Sequence, residues 1–339
     1  MRSLLPFLTV LCMLLVLQPP DAAAQDNQKA AQTGMKFLSA STNPRAAAVG
    51  NAVTTFELGS ASMFYNPAGM ARMNTTGHFG AGVMQWIADI NYNQGSLAFA
   101  PSDGRYGVFG VSATFVDYGD LEGTIRADND QGFEETGSFG PSAYAVGIGY
   151  AIPITDRVSI GGGAKFVRQD LGESVMTRDG ATQSNTVSTP AFDFGVIYDT
   201  GFRGVTFAFS ARNFSSEVTY EEESFELPLT LTIGLSADVI NLLNSQAAFS
   251  ENHSFLVTVD GQTPRDFSEQ VRVGGEYTFM DTFSLRAGYS VPRGDFAEGL
   301  SLGGGLNVSV GDLQLGADYA YTTYDIFDGV NRVAIDIGF

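Results

Sequence analysis

Side chains that could begin a reaction are few in this sequence. It has two histidines, His78 and His253, and one cysteine, Cys12. A zinc centre needs several such ligands within bonding reach, and a Ser-His-Asp triad needs its imidazole between hydroxyl and carboxylate. The histidines fall on separate segments far apart in the chain, and Cys12 lies in an amino-terminal apolar run, so neither arrangement is expected. Gly161-Gly162-Gly163 and Gly303-Gly304-Gly305 are not phosphate loops, because neither stands at a strand-to-helix turn. Inside a strand pattern such glycines signal close packing or bending. The run Asp128-Asn129-Asp130-Gln131-Gly132-Phe133-Glu134-Glu135 looks like a calcium loop, but its glycine comes one position early and the spacing fails. A second acidic run is Glu221-Glu222-Glu223-Ser224-Phe225-Glu226. Charge runs repel and stay solvated, so both read as exposed loops, with divalent bridging to lipopolysaccharide or a partner as the functional alternative. No catalytic residue, metal site or cofactor is nominated, and the chain is not expected to be an enzyme.

The elements that hold these residues begin with an export signal. Arg2, the apolar stretch Leu4 to Leu17, the break at Pro19-Pro20 and the small residues Ala22-Ala23-Ala24 read as a secretory signal peptide over residues 1–24. A retained anchor is the alternative, but the run is short for a bilayer and nothing like it recurs. Leu11 before Cys12 argues against a lipoprotein signal. The mature chain then has no thiol, disulfide or cysteine-based metal site. A net charge of −19 would repel phosphates, so no nucleic-acid partner is expected. With 40 Gly, 26 Phe and 13 Tyr and no apolar run suited to a transmembrane helix, the composition is that of an outer-membrane β-barrel.

From residue 77 onward the chain divides into alternating segments. They are 77–86, 92–100, 106–116, 141–152, 157–168, 188–199, 203–213, 227–238, 253–260, 269–279, 282–290, 299–310, 312–322 and 332–339. An even count of about 14 suits a bacterial single-chain barrel. In 203–213 the apolar set is Val205, Phe207, Phe209 and Ala211; in 227–238 it is Leu229, Leu231, Ile233 and Leu235; in 299–310 it is Leu300, Leu302, Leu306 and Val308. Side chains alternate across a strand, so one face is lipid-like and the other small or polar. Lys165, Asp193, Arg212, Arg272, Glu276, Arg286, Asp318, Arg332 and Asp336 all fall on the non-apolar register. A basic residue facing lipid at mid-depth costs roughly 2–4 kcal/mol, which explains that parity. A soluble sandwich would tolerate the same parity, but a face dense in Gly and Ala with charges of both signs suits a narrow, filled lumen better. Long connections at 117–140, 169–187 and 214–226 alternate with tight ones such as Pro153-Ile154-Thr155-Asp156, Asp281 and Gly311. That alternation places both termini on the periplasmic side. Val239-Ile240-Asn241-Leu242-Leu243 suggests a short helix on that side. Val333, Ile335, Ile337 and Phe339 alternate to the end of the chain, a pattern that resembles the terminal signal read by barrel-insertion machinery. The expected fold is therefore all-β, a transmembrane antiparallel β-barrel at residues 77–339 inserted in outer-membrane lipid and lipopolysaccharide.

Residues 25–76 do not alternate. They are Ala-rich, punctuated by Asn43-Pro44 and Gly50, and include Tyr65-Asn66-Pro67-Ala68-Gly69-Met70-Ala71. Asn-Pro favours an extended residue followed by a turn, and glycine permits backbone closed to other residues. This segment is expected to be an amino-terminal plug containing short helices. Gly34-Met35-Lys36-Phe37-Leu38, Asn43-Pro44-Arg45-Ala46-Ala47-Ala48-Val49-Gly50-Asn51-Ala52 and the Asn66-Pro67-Ala68-Gly69 turn together resemble the PorV/PorQ family, which belongs with the FadL-like outer-membrane barrels. One departure is Ala48-Val49-Gly50, where a Met-Gly-Gly-like step is the family's pattern. The resemblance implies a barrel of 14 strands with a plug and, for PorV-like members, a role in type IX protein secretion. There the barrel binds the C-terminal signal domains of secreted cargo and carries them from the translocon to surface attachment. For FadL-like members it implies transport of long-chain fatty acids or other hydrophobic compounds. That alternative would place a ligand near the plug aromatics Phe37, Phe56, Phe64 and Tyr65, which otherwise simply pack the plug against the wall.

Overall fold

The computed structural model describes residues 33–175, 182–220, 223–243, 252–291, 298–324 and 327–339. The expected signal peptide, Cys12, the first eight plug residues and Glu221-Glu222 lie outside them. The first half of the chain forms strands β1 (Gly77–Gln85), β2 (Asn91–Phe99), β3 (Val108–Asp117), β4 (Leu121–Arg126), β5 (Phe133–Phe139), β6 (Ser142–Pro153), β7 (Val158–Val175) and β8 (Thr182–Asp199). There follow β9 (Val205–Phe214), β10 (Val218–Tyr220), β11 (Glu223–Phe225), β12 (Thr230–Asp238), β13 (His253–Pro264) and β14 (Gln270–Phe279). The last four are β15 (Phe283–Val291), β16 (Glu298–Val310), β17 (Leu313–Tyr324) and β18 (Val330–Gly338). Fourteen strands close one antiparallel barrel, with β18 pairing β1, while β4–β5 and β10–β11 are separate two-stranded sheets. Closure gives every wall strand two hydrogen-bonded neighbours, which a lipid environment demands.

The wall follows the expected parity. In β15, Phe283, Leu285, Tyr289 and Val291 are exposed while Ser284, Arg286 and Ser290 are buried. In β12, Leu231, Ile233 and Leu235 face out and Thr230, Thr232 and Ser236 face in. The long connections differ from the expectation of loops. The first contains the β4–β5 hairpin, the third contains β10–β11, and β7 and β8 continue their ladder past a register shift between Asp170 and Glu173. Outside a bilayer a hairpin needs no apolar face, so its polar sequence reads as loop although its backbone is paired.

Residues 33–76 fill the lumen. A 3₁₀ turn at Lys36–Ser39 is followed by helix α1 (Pro44–Ala48) and by 3₁₀ segments Gly59–Phe64 and Pro67–Arg72. Asn43 caps α1 by accepting from Ala46 N, and Pro44 occupies the first helical position, where a missing N–H costs nothing. Helix α1 packs on β15 to β18, Gly59–Phe64 on β1 to β3, and Pro67–Arg72 on β3 and β6 to β8. A second short helix, α2 (Val239–Leu242), joins β12 to β13, where the sequence suggests it. Phe339 exchanges backbone hydrogen bonds with Gly77 at the short-turn end. Thr33, by contrast, pairs with Glu226 at the hairpin end, so the first described residue and the last lie at opposite ends of the barrel. The described part of the plug therefore runs the length of the lumen.

Candidate functional site

The lumen is a plug fastened to its wall, with a vestibule at each end. Arg45 of α1 reaches Glu276 of β14 through Nε at 2.8 Å and Nη2 at 2.7 Å. Burial works against the Arg45 cation, but Glu276 more than offsets it, so its pKa is raised. Glu276 also accepts from Arg286, which continues to Asp318, and the four charges form a ladder across three strands. Elsewhere Thr54 donates to Asp260 through its amide and hydroxyl, and Asn51 donates to Glu298 at 2.6 Å. Arg332, fully buried, donates to Ser41 O at 2.7 Å. Of the inward charges marked by strand parity, Glu276, Arg332 and Arg212 bond the plug, while Lys165 with Asp193 and Arg286 with Asp318 pair along the wall. Sequence periodicity gives their direction and not their partners, which meet only when the sheet closes.

The Asn66-Pro67-Ala68-Gly69 turn is a corner seated against β7 and β8. Asn66 accepts from Ala68 N and donates to Thr54 O at 2.8 Å, closing the turn from both sides. A Cβ on Gly161 would lie 2.5 Å from Ala68 N and Pro67 C, so the wall must be bare there. That contact accounts for Gly161, the first glycine of the run 161–163. Of the turn's residues only Pro67 lines a described cavity.

The plug aromatics divide. Phe37, Phe64 and Tyr65 line one cavity of about 50 Å³, room for little more than a water or two. Phe56 belongs to the plug interior with Val49, Val53 and Leu58. Tyr65 hydrogen-bonds Ser41 at 2.7 Å and accepts from Asn43 N, and burial pushes its phenol up from the ordinary range. Phe37 also lines a vestibule of about 480 Å³ at the hairpin end, and Phe64 one of about 510 Å³ at the short-turn end. The hairpin-end vestibule is walled by Trp86, Tyr92, Tyr118, Phe267 and Tyr324, residues at strand ends and connections that periodicity does not single out. The short-turn vestibule is polar, with Arg72, His78, Asp318 and Asp336. Its His78 bonds Ser60 and stands 3.5 Å from Asp336, while His253 bonds Tyr277 at 2.6 Å on another part of the wall. Among the described residues no group of three or more His, Cys, Asp or Glu could hold a metal.

At the carboxyl end Val333, Ile335 and Phe339 are exposed on the outer face of the strand that closes the barrel. The acidic run at 128–135 forms the tip of the β4–β5 hairpin, where Asn129 accepts from Gln131 N and Gly132 N. Glu223 and Phe225 lie in β11.

The profile of a family described as "Type IX secretion system membrane protein PorP/SprF" matches residues 135–334, from β5 into β18. No curated protein sequence matches the chain. Among solved structures it is similar to the Pseudomonas putida toluene transporter TodX, at 13% identity over 86% of this chain and 96% of that one, with a TM-score of 0.58. It is likewise similar to the CymD monoaromatic hydrocarbon channel, at 13% identity over 88% and 97% of the two chains, with a TM-score of 0.55. At such identity the likeness is one of fold.

Proposed function

The chain belongs to the PorP/SprF family of type IX secretion system membrane proteins, and from that premise we propose that it is a non-enzymatic accessory of secretion that docks protein cargo at its hairpin end. In this reading it is the PorV-like shuttle that its plug residues resemble, binding the C-terminal signal domains of secreted proteins and meeting the type IX translocon. The short turns face the periplasm and the hairpins face outward, with residues 25–76 as plug and 1–24 removed on export. The observation that carries it is the filled lumen. Between the two vestibules the described residues enclose cavities of about 50 and 10 Å³, and the plug is pinned on several sides by buried ion pairs and hydrogen bonds. Such a barrel offers an outer surface rather than a passage. The β4–β5 hairpin, exposed along nearly its whole length and, among the described residues, laddered between its own two strands, is the first contact to expect.

The alternative is a FadL-like transporter of long-chain fatty acids or other hydrophobic compounds. The aromatic-walled vestibule and the fold shared with TodX favour it. Mild-detergent affinity purification from native outer membranes, with mass spectrometry of what accompanies the barrel, separates the two. Recovery of a translocon barrel or of proteins sharing a C-terminal export domain is the expected result. A barrel recovered alone and carrying a fatty acid or hydrocarbon would reverse the order of the two readings.

A further inference from the structure

Nearly every cation reaching the lumen has an anion beside it. Lys36 pairs with Asp266, Arg45 and Arg286 with Glu276, Lys165 with Asp193, and Arg332 with Glu298 at 3.5 Å. Arg212 of β9 and Arg272 of β14 are different. Arg212 donates to Phe64 O at 2.7 Å and stands 5.8 Å from the Tyr65 ring; Arg272 donates to Gln270 at 3.2 Å. The Arg272 Nε is buried without a partner. Among the described residues neither guanidinium has a carboxylate within ion-pair distance. Asp193 is taken by Lys165 and Asn213, and Asp260, directly across the ladder from Arg272, binds Thr54 of the plug through Oδ2 and leaves its Oδ1 without a hydrogen bond.

Both arginines line the hairpin-end vestibule, together with the aromatics Trp86, Tyr92, Tyr118, Phe267 and Tyr324, the plug residue Phe37, and the carboxylates Asp266 and Glu298, which Lys36 and Arg332 already pair. A cavity of about 480 Å³ is in the range that takes a small ligand, and apolar walls with a few convergent polar groups are what such sites present. A planar guanidinium fork matches a carboxylate, and two of them left unpaired in a partly desolvated site carry a cost that an arriving anion relieves. A neutral hydrocarbon would leave that cost in place, and an inorganic anion would leave the aromatic walls unused.

We propose that this vestibule binds the carboxylate that ends an apolar chain, with Arg212 and Arg272 as the anion-holding pair. Resting on the secretion reading above, the chain is the carboxyl terminus of a partner polypeptide. Capture of a terminal carboxylate is an established mode of peptide recognition. The carboxylates Asp266 and Glu298 in the same lining favour a terminus preceded by Lys or Arg over a multiply charged anion.

Trp86 is the one tryptophan of the chain and stands in the vestibule wall, so its fluorescence reports occupancy directly. The full barrel, reconstituted in lipid nanodiscs, is titrated with an acetylated Lys-Val-Phe-Val peptide as free acid, with the same peptide as carboxamide, and with octanoate. The expected result is a saturable Trp86 change with the acid and binding about tenfold or more weaker for the amide, the scale of one charge-assisted hydrogen bond. Arg272→Gln and Arg212→Gln, each checked for the gel mobility of a folded barrel, should bring the acid down to the amide's affinity. Equal affinity for acid and amide, or no response in the folded wild type, overturns the anion site. Octanoate binding tighter than the peptide acid overturns the polypeptide assignment. Either failure, beside successful recovery of translocon or cargo from native membranes, would leave the secretion reading standing.

Discussion

Glu276 is held by two guanidiniums from different elements, Arg45 of the plug and Arg286 of the next strand, and is 5% exposed. Removing one member of such a buried group strands the others without counter-charge, which typically costs about 3–5 kcal/mol. Glu276→Ala should therefore lower the urea midpoint of the detergent-solubilised barrel sharply, and an unchanged midpoint would mean that water already screens the ladder. Gly161 tests the seat of the Asn66-Pro67 corner in a different way. Gly161→Val places side-chain atoms where the Pro67-Ala68 backbone runs, an overpacking that typically costs about 1–3 kcal/mol. Its plug should lift, giving higher conductance in planar bilayers than the wild type. Gly95→Ala is the control, since its added Cβ would meet only Gly80 O, at 4.0 Å. Similar conductance in the two variants would show that the corner is not wedged.

Single elements separate what holds the barrel from what it presents. The β4–β5 hairpin forms its own ladder and, among the described residues, pairs with no strand of the wall. An isolated two-stranded hairpin is marginally stable in water, so this one contributes little to the fold and is free to meet a partner edge to edge. Deleting residues 121–139 and joining the stubs with a short Gly-Ser linker should leave the heat-modifiable gel mobility of the folded barrel unchanged. On the secretion reading, the same deletion should abolish recovery of cargo. Retained cargo with the hairpin gone would move the contact to β10–β11 or to the extended β7–β8 pair.

The whole molecule is arranged for a solvent that is apolar outside and a filling that is polar inside. Ile233 stands at the middle of β12 with 54% exposure, on the lipid-facing side. Ile233→Arg should destabilise the barrel in lipid bilayers by roughly 2–4 kcal/mol, while Thr232→Ser on the lumen side should cost far less. Comparable losses at the two positions, measured by urea titration in liposomes, would contradict the placement of the lipid face. That face was legible in the residues because alternation is local: Leu231, Ile233 and Leu235 declare it without knowledge of any other strand. The hairpins were not legible, since the acidic and glycine-rich stretch from Leu121 to Phe139 has the composition of a loop and only backbone pairing makes it a sheet.

By itself the sequence determined the period-2 pattern, the strand positions to within a few residues at most ends, and the inward direction of Arg212, Arg272, Glu276, Arg286, Asp318 and Arg332. Each of these follows from the geometry of one strand and the cost of placing charge against lipid. Only the tertiary structure decided which of those charges are paired. Arg286 meets Glu276 and Asp318 because β14 to β17 lie side by side, and Arg45 joins them because α1 is threaded through the closed lumen. The same threading brings Thr33 to the hairpin end and leaves Arg212 and Arg272 facing an open vestibule. Partnership between residues hundreds of positions apart depends on closure, and no local periodicity carries that information.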